Sequence, residues 1–440
     1  MYVIEEPKVE PRLRKRYKKL VKQHVSISQS VATGAHKAAR LKDSFAAAVG
    51  ASRFYNNPRV SLPQLAEPLI KSAQLAVKVE CREYTLVAHD WSDLKYSTHE
   101  SKTDRTMLSK ETEFGYELQT ALLVSDRDGA PLAPVYLGLR AADGVHSTRR
   151  EKVLPTRAGL DELGRTINYI KSLGLSKKLA HIVDREGDSV LHLRRWQRQG
   201  HLFVLRGNEI RRVEHEGESR LLKEVVESLR SECEFSREIE YQGKKANQYV
   251  AETKVSLTRP AKLNRRKDGQ RIRRYVPGRP LELRLIVSEV RDKQGQVLAR
   301  WLLWSNLPPE VSAATIVLWY YWRWRIESFF RLLKRGGFHL EQWLQESVEA
   351  IAKRLLVAAQ ASVIVWALMQ SNDQQSAHLR RMLIDLSGRL MKHGVEFTAP
   401  ALLVGMMNLL AIIDALDSHS VDDLRYIAKL VNTMLNLETE

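Results

Sequence analysis

The chain has 440 residues, of which 44% are hydrophobic and 28% charged, and its net charge is +18. This composition excludes an intrinsically disordered chain, and the length allows a large buried core in about two or three domains. Cys81 and Cys233 are the only cysteines, which excludes a disulfide framework and a CxxC zinc site and favours a reducing cytoplasm. The opening residues show no apolar signal-peptide segment.

The positive charge is concentrated in the first three quarters of the chain. Residues 341–440 hold 8 Lys and Arg against 12 Asp and Glu, so this last region is net negative. Clustered lysines and arginines release counterions from phosphates, and we therefore expect a polyanionic partner such as DNA. The alternative is a generally basic protein without such a partner.

The first 80 residues are predicted to be helical. Residues 11–24 carry seven Lys and Arg and no acid, which indicates a basic arm or a DNA-facing helix. Residues 59–79 follow an Asn-Asn-Pro turn and have the serine and early proline typical of a helix start. No clear helix-turn-helix signature is present.

A mixed α/β pattern follows. An apolar run at 84–90 ends in Asp90, and a second at 179–188 reaches Asp184 directly after its apolar residues. Ligands of such sheets gather at the carboxyl ends of strands, where both acids are expected. The other predicted elements are a hairpin at 117–141 around Asp128-Gly129, a helix at 161–178 and a short strand at 201–207.

Residues 208–304 predict a β-rich insertion. They alternate with period two, include a hairpin around 293–295, and contain a stretch at 259–284 with ten Lys and Arg against two acids, which we expect to be a basic loop. After residue 310 the pattern is helical. Two apolar stretches at 355–369 and 399–413 are shorter than the roughly 20 residues that span a bilayer, so we expect buried or subunit-facing helices and no membrane role.

Residues 319–335 place one acid among several cations. On a continuous helix Tyr320, Arg323, Glu327 and Lys334 share an arc of roughly 60°, with Arg331 close beside them. Glu327 could simply form surface ion pairs with its helical neighbours. Together with the two strand-end acids, however, it completes a set of three carboxylates, which is suited to binding two Mg²⁺ ions that act on a phosphodiester.

These residues resemble a known family. The spacing Tyr320-x2-Arg323-x3-Glu327-x6-Lys334 is similar to the Y-R-E-K signature of bacterial insertion-sequence DDE transposases of the cut-and-paste group. VAHDWSDLKYSTH and HIVDREGDSV resemble the first and second Asp motifs of that group, and the resemblance covers about residues 45–345. ASRFYNNPRVS and WLLWSNLP are similar to further segments of it.

The resemblance implies an α/β fold, a ribonuclease-H-like mixed sheet with a β-rich insertion and helical N- and C-terminal regions. The expected domains are a helical, basic region that binds DNA ends (1–75), a catalytic domain (76–207 and 305–372), the insertion (208–304), and a helical C-terminal region that is a candidate for dimerisation (373–440).

The resemblance also implies roles for particular residues. Asp90, Asp184 and Glu327 would be catalytic and bind Mg²⁺, with Mn²⁺ substituting. Neighbouring acids compete for two of these roles: Asp93 for that of Asp90, and Glu186 or Asp188 for that of Asp184. The expected DNA-binding residues are Tyr320, Arg323, Lys334, Arg331, Arg206 and Trp301, which would stack on a flipped base and has Trp304 as a rival. Arg211 or Arg212 could also contact phosphates, whereas His181 and His339 are expected to be structural.

The implied activity is DNA transposition. The enzyme would cleave transposon ends and join their 3′-OH groups to target DNA by Mg²⁺-dependent hydrolysis and transesterification, through a hairpin intermediate. Its partners would be terminal inverted repeats, target DNA and a second subunit, paired through 355–369, 399–413 or the acidic C-terminal region, in the nucleoid of a bacterial cytoplasm. The alternatives are a nuclease of the same fold without strand transfer and a DNA-binding protein without catalysis.

Overall fold

The computed structural model describes residues 5–26, 41–155, 159–241, 244–267 and 270–434. Three helices come first: α1 (Pro11–Ser26), α2 (Leu41–Tyr55) and α3 (Leu62–Glu80). The basic stretch at 11–24 is thus helical, and Tyr17, Leu20 and Val21 anchor it in the core. α3 begins after Ser61, because the Ser61 hydroxyl accepts from the Gln64 N–H and the Gln64 side chain accepts from the Ser61 N–H.

The sheet that carries the predicted acids combines antiparallel and parallel strands. β1 (Tyr84–Lys95) pairs antiparallel with β3 (Phe114–Ser125), and β3 pairs with β4 (Pro131–Ala141), which confirms the Asp-Gly hairpin. On its other side β1 runs parallel to β7 (Lys178–Val183), which runs parallel to β8 (Leu202–Arg206). The remaining elements of this part are β2 (Thr106–Met107), β5 (Gly144–Ser147), β6 (Arg150–Leu154), α4 (Gly159–Lys171) and α5 (Val190–Arg198).

The helix predicted for residues 161–178 ends early. α4 stops at Lys171, and the chain turns before β7 begins at Lys178. Gly174, with φ +66, lies in this turn. A left-handed residue stops a helix, and glycine adopts that conformation without a steric cost, so the turn follows from a signal that periodicity alone overlooked.

The β-rich insertion extends the same sheet. Its strands β9 (Arg212–His215), β10 (Glu218–Leu221), β12 (Lys244–Leu257), β15 (Leu281–Arg291) and β16 (Val297–Ser305) join through β16, which pairs antiparallel with β8. Among the described residues the order is β10-β9-β12-β15-β16-β8-β7-β1-β3-β4-β5-β6. β11 (Glu234–Tyr241) flanks β12, and a short helix, α6 (Leu222–Ser228), precedes it.

The prediction that residues 259–284 form a basic loop is wrong in part. β13 (Ala261–Lys267) and β14 (Gln270–Val276) pair antiparallel and form a separate two-stranded ribbon. Alternation in this stretch was hidden by its charge, because arginine and lysine occupy both strands. The ribbon starts from Ala261, which is buried in the core beneath the insertion.

Helices follow from residue 313, but the predicted helix at 319–335 is interrupted. α7 (Ala313–Trp322) and α8 (Arg325–Arg331) are separated by Arg323 and Trp324, and residues 332–336 form a π-helical turn. Four further helices complete the described chain: α9 (Val348–Gln370), α10 (Gln374–Ser387), α11 (Ala399–Ser418) and α12 (Val421–Met434).

α9 lies in the centre of the core. It has 23 residues, so the apolar stretch at 355–369 belongs to a helix longer than we expected, and its length and composition alone would suit a membrane span. However, 83% of its most apolar window is buried inside the fold, as is common for a core helix. Of the two expectations for 355–369, that of a buried helix is confirmed and that of a surface for pairing subunits is wrong, because Leu355, Leu356 and their neighbours pack within one chain.

Candidate active site

Asp90 and Asp184 lie side by side on two parallel strands. Asp184 directly follows β7, as predicted, and Asp90 lies within β1. Pairing between the two strands stops at Ala88 opposite Ile182, whereas β1 continues along β3 as far as Lys95. Asp90 is therefore not at the end of its strand. It lies where β7 ends, which still places its carboxyl at the same edge as that of Asp184.

Backbone groups orient both carboxyls. The Trp91 N–H donates to Asp90 Oδ1 at 2.9 Å, and the Arg185 N–H donates to Asp184 Oδ1 at the start of a 3₁₀ turn. These bonds fix one oxygen of each group and leave Oδ2 to face the helical side.

Arg323 bridges the two acids. Its Nη1 donates to Asp90 Oδ2 at 2.8 Å and its Nη2 to Asp184 Oδ2 at 3.4 Å. The side chain enters from the break between α7 and α8 and is only 5% exposed. From the last turns of α7 the Tyr320 hydroxyl donates to Asp184 Oδ1 at 3.5 Å, and burial raises the pKa of Tyr320 to about 12.

Glu327 completes the set of three carboxyl groups. It lies in the first turn of α8, half-buried, and its carboxyl is close enough to that of Asp90 for the two to interact electrostatically. Burial and then Asp90 raise the pKa of Glu327, while Arg323 opposes this effect. The structure thus brings together Asp90, Asp184, Glu327, Tyr320 and Arg323, although Arg323 is 233 positions from Asp90 and 139 from Asp184 in the chain.

The donor set fits a hard divalent cation, with one obstacle. Three carboxyl groups converge from β1, β7 and α8, and carboxylate oxygens are the ligands that Mg²⁺ prefers. In the part of the chain that the structure describes, no three acidic, histidine or cysteine side chains surround a single point closely enough to bind an ion. The guanidinium of Arg323 separates two of the acids and explains this spacing.

The competing acids have other partners. Asp93 accepts from the Ser109 hydroxyl at 2.8 Å, and Asp188 forms an ion pair of 2.6 Å with Arg211. The structure therefore does not bring Asp93 or Asp188 into the carboxyl cluster. Partial desolvation, and then the charges of Asp90 and Asp184, raise the pKa of Glu186, although most of its side chain faces solvent.

The predicted DNA-binding cations differ in accessibility. The Lys334 ammonium donates to the Asp93 carbonyl and lies 3.7 Å from Glu341, and burial lowers the pKa of Lys334. Arg331 is exposed on α8, and Arg206, at the end of β8, is half-buried. Of the two further candidates, Arg211 is held by Asp188, and Arg212 donates to the Ser219 carbonyl at 3.2 Å.

The two tryptophans of β16 face opposite sides of the sheet. Trp304 is fully buried in the core beneath the insertion, so no base can reach its ring. Trp301 is partly exposed, and its ring centroid lies 6.2 Å from that of Tyr320, next to the carboxyl cluster. Of the two rings, only that of Trp301 is accessible from outside the fold, and its stacking on a base stays a prediction.

Two features near the site had no counterpart in the sequence predictions. Trp324, between α7 and α8, is 58% exposed, which is unusual for so large an apolar ring. Trp91, Glu117 and Glu186 line a cleft of about 530 Å³ beside Asp90. The dense aromatic and basic stretch at 320–325 was the sequence signal for an exposed aromatic ring. Only the break between α7 and α8 shows that this ring is Trp324.

Two histidines are buried beneath the acids. His89 Nε2 and His181 Nδ1 are 2.9 Å apart and share a hydrogen bond. Burial lowers the pKa of His89 to about 3 and lowers that of His181 well below its usual value. The expectation that His181 is structural agrees with this burial, and His339 is the left-handed residue that precedes a short 3₁₀ turn.

This pair predicts a loss of stability in acid. Both rings stay neutral in the folded state but bind protons below about pH 6.5 when unfolded, so their stabilisation is complete above that pH and is lost as the pH falls towards 3. Each ring contributes up to about 1.4 kcal/mol per pH unit to the slope. His181→Asn should therefore reduce the pH dependence of the unfolding free energy in urea between pH 7.5 and 5.5. The exposed His393→Gln is the control, and equal slopes for His181→Asn and wild type would contradict the prediction.

Residues 201–364 match the family model described as "Transposase DDE domain". The matched region runs from β8 through the insertion to α9 and contains Glu327 with its neighbours Tyr320 and Arg323. The chain therefore contains a region of the DDE transposase type.

Two further likenesses, both weaker, were found for this chain. A curated relative, the ribosome biogenesis protein NOC1 of Chaetomium thermophilum, is 26% identical over 116 residues, which are 26% of this chain and only 10% of that protein. A solved synaptic complex of piggyBac transposase with hairpin DNA is 9% identical, with 96% of this chain and 75% of that chain covered and a TM-score of 0.34. At that score the structural likeness carries no argument.

Proposed function

We propose that this enzyme is a DNA transposase that cuts transposon ends and joins the freed 3′-OH groups to target DNA. The convergence of Asp90, Asp184 and Glu327, carried by β1, β7 and α8, is the observation that supports this most. We propose a ribonuclease-H-like arrangement for the catalytic part. The antiparallel β1-β3-β4 strands with β7 and β8 added in parallel support it.

The three carboxyl groups would hold Mg²⁺, or Mn²⁺ in its place. A divalent cation bound there supplies a strong Lewis acid that activates the attacking oxygen and stabilises the leaving oxygen of a phosphodiester. The chain itself positions the DNA. Tyr320 and Arg323 lie against the carboxyls with donor groups for a backbone phosphate, and Arg guanidinium groups bind phosphate through two parallel hydrogen bonds.

The reaction would proceed as successive in-line displacements at one site. Water nicks each end and frees a 3′-OH, which attacks the opposite strand and closes a hairpin. A second water opens the hairpin, and the 3′-OH then joins target DNA. Trp301, beside Tyr320, is placed to stack on a base that leaves the duplex. The positive N-terminal region, including α1, would bind the terminal repeats, as expected for an enzyme of the bacterial nucleoid.

An assay with the inverted repeats that flank the gene tests this function. Duplexes that contain the junction of repeat and flanking DNA should be nicked in Mg²⁺ at the repeat boundary, and pre-cut ends should join to a second duplex. Nicking without joining would favour a nuclease of the same fold. Binding of the repeats without any nicking in Mg²⁺ or Mn²⁺ would contradict the proposed chemistry.

We also propose that two subunits pair through the C-terminal helices. Two ends must meet in one complex, and the described side chains near the end of α11 and along α12 include exposed apolar groups, among them Ile412, Leu416, Ile427 and Leu430. Exposed apolar surface of this kind marks interaction sites. We predicted subunit pairing at 399–413, but Leu402, Leu403 and Met407 are buried within the chain. The proposed contact surface therefore lies nearer the end of α11.

A double substitution tests this pairing. Ile427 and Leu430 are 50% and 46% exposed and lie one helical turn apart on α12. Ile427→Asp with Leu430→Asp should convert the complex with paired ends from dimer to monomer in sedimentation, with little loss of folding stability. Arg425→Asp, on the same helix, is the control. A wild-type protein that stays monomeric with paired ends would contradict the proposal.

A further inference from the structure

Arg323 is a buried cation that occupies the oxygens expected to bind the divalent ion. Each of its two terminal nitrogens faces a different acid, Asp90 Oδ2 at 2.8 Å and Asp184 Oδ2 at 3.4 Å. The backbone N–H groups of Trp91 and Arg185 already donate to the Oδ1 atoms of Asp90 and Asp184, respectively. The guanidinium therefore occupies the position between the two carboxyl groups in which a metal ion could bind both Oδ2 atoms.

An ion and this guanidinium cannot use the same oxygens at once. Mg²⁺ binds oxygen at about 2.0–2.1 Å and accepts little distortion, whereas the N–H donors of Arg323 already stand against both Oδ2 atoms. The two positive charges would also repel each other in a buried site, where screening by water is weak. Occupation of the site by the ion thus requires that the Arg323 side chain withdraws.

The surroundings permit such a withdrawal by the side chain alone. The Arg323 N–H is held by the carbonyls of Trp319 and Tyr320, so the backbone continues from α7. The next residue, Trp324, is largely exposed, which places the break between α7 and α8 at the molecular surface. A guanidinium freed there would stand beside the carboxyl cluster at the surface that DNA must approach.

We propose that Arg323 competes with the divalent ion for Asp90 and Asp184, and that DNA relieves this competition by offering the guanidinium a phosphate. Before substrate binds, Arg323 keeps the two acids paired and weakens ion binding. With a backbone phosphate at the site, Arg323 exchanges carboxylates for phosphate and the ion enters. Ion and DNA then strengthen each other's binding reciprocally. This inference rests on the proposed metal-dependent function of the same site.

Binding of Mn²⁺ to the full-length protein without DNA tests the competition. Free Mn²⁺ is measured by electron paramagnetic resonance for wild type, Arg323→Gln and Arg323→Lys, each with and without Glu327→Gln to identify the ion at this site. Arg335→Gln removes an exposed cation from the adjoining turn and is the matched control. Urea unfolding of every variant checks that the fold is retained.

Arg323→Gln should bind Mn²⁺ about fivefold tighter than wild type or more, in the usual range of coupling between two ligands. Arg323→Lys should fall between them, and Arg335→Gln should stay within about twofold of wild type because its charge is screened by solvent. If wild type binds Mn²⁺ at this site and a folded Arg323→Gln binds it no more tightly, the proposed competition is overturned. The proposed metal-dependent function would not be affected by that result. Absence of site-specific Mn²⁺ binding in both overturns the proposed function as well.

Discussion

Glu327→Gln is expected to abolish Mg²⁺-dependent nicking while DNA binding persists. Glutamine keeps the shape of the side chain but removes the charge, and therefore removes one of three carboxylates that would hold the ion. Metal assistance lowers such barriers by several kcal/mol, and a loss of about 4 kcal/mol corresponds to a decrease of about 10³-fold in rate. Single-turnover cleavage of a labelled end duplex measures the rate, and fluorescence anisotropy measures binding.

Asp93→Asn is the matched control for this variant. Asp93 is an acid on the same strand as Asp90, but its carboxyl binds Ser109, and only its backbone carbonyl accepts from Lys334. The substitution retains that carbonyl and should leave most of the nicking rate. A Glu327→Gln enzyme that nicks within about tenfold of wild type, or an Asp93→Asn enzyme that is equally impaired, would exclude Glu327 as the third acid.

Trp304→Ala and Trp301→Ala are expected to fail in different ways. Trp304 is fully buried, and it packs so closely on Gly207 that a Cβ at that glycine would lie 2.5 Å from the indole nitrogen. Its removal should reduce the free energy of unfolding by about 3–5 kcal/mol. Trp301 is partly exposed and contacts Tyr320, so its removal should cost only about 1–2 kcal/mol of stability.

For catalysis we expect the opposite order, with the larger direct effect from the loss of Trp301. Loss of a base-stacking ring is worth about 1–3 kcal/mol, so Trp301→Ala should slow the steps that follow the first nick by roughly 5- to 150-fold. Urea unfolding and a hairpin-formation assay with a nicked duplex measure the two effects on one pair of proteins. A Trp301→Ala enzyme that forms hairpins at the wild-type rate would assign the ring to packing alone.

Much of the site could be predicted because its signals are local. Asp184 ends an apolar run, Asp90 follows another, and Asp-Gly marks the hairpin between β3 and β4. The shared arc of Tyr320, Arg323, Glu327 and Lys334 was calculated for an unbroken helix. For Tyr320, Arg323 and Glu327 it survives the break, because Arg323 and Trp324 keep right-handed helical dihedral angles, whereas Lys334 lies in the π-helical turn that follows α8.

Other features depend on packing that no local pattern contains. α9 is apolar on all sides, so periodicity does not reveal that it is a core helix and not a subunit contact. The ion pairs of Arg323 join residues that are 233 and 139 positions apart in the sequence. The sequence places Lys334 on the correct side, but its contact with the Asp93 carbonyl follows from the path of β1 beyond Asp90.

The pairing of β16 with β8 has a consequence for how this architecture can vary. Since the insertion is hydrogen-bonded edge to edge with the strand beside Asp184, it cannot behave as a detachable module that a shorter homologue simply omits. Its loss would bare the backbone of β8, and an unprotected strand edge invites association with other chains. Because the outer strands and the strands that carry Asp90 and Asp184 belong to one continuous sheet, we expect a distortion of the insertion to shift the carboxyl groups as well.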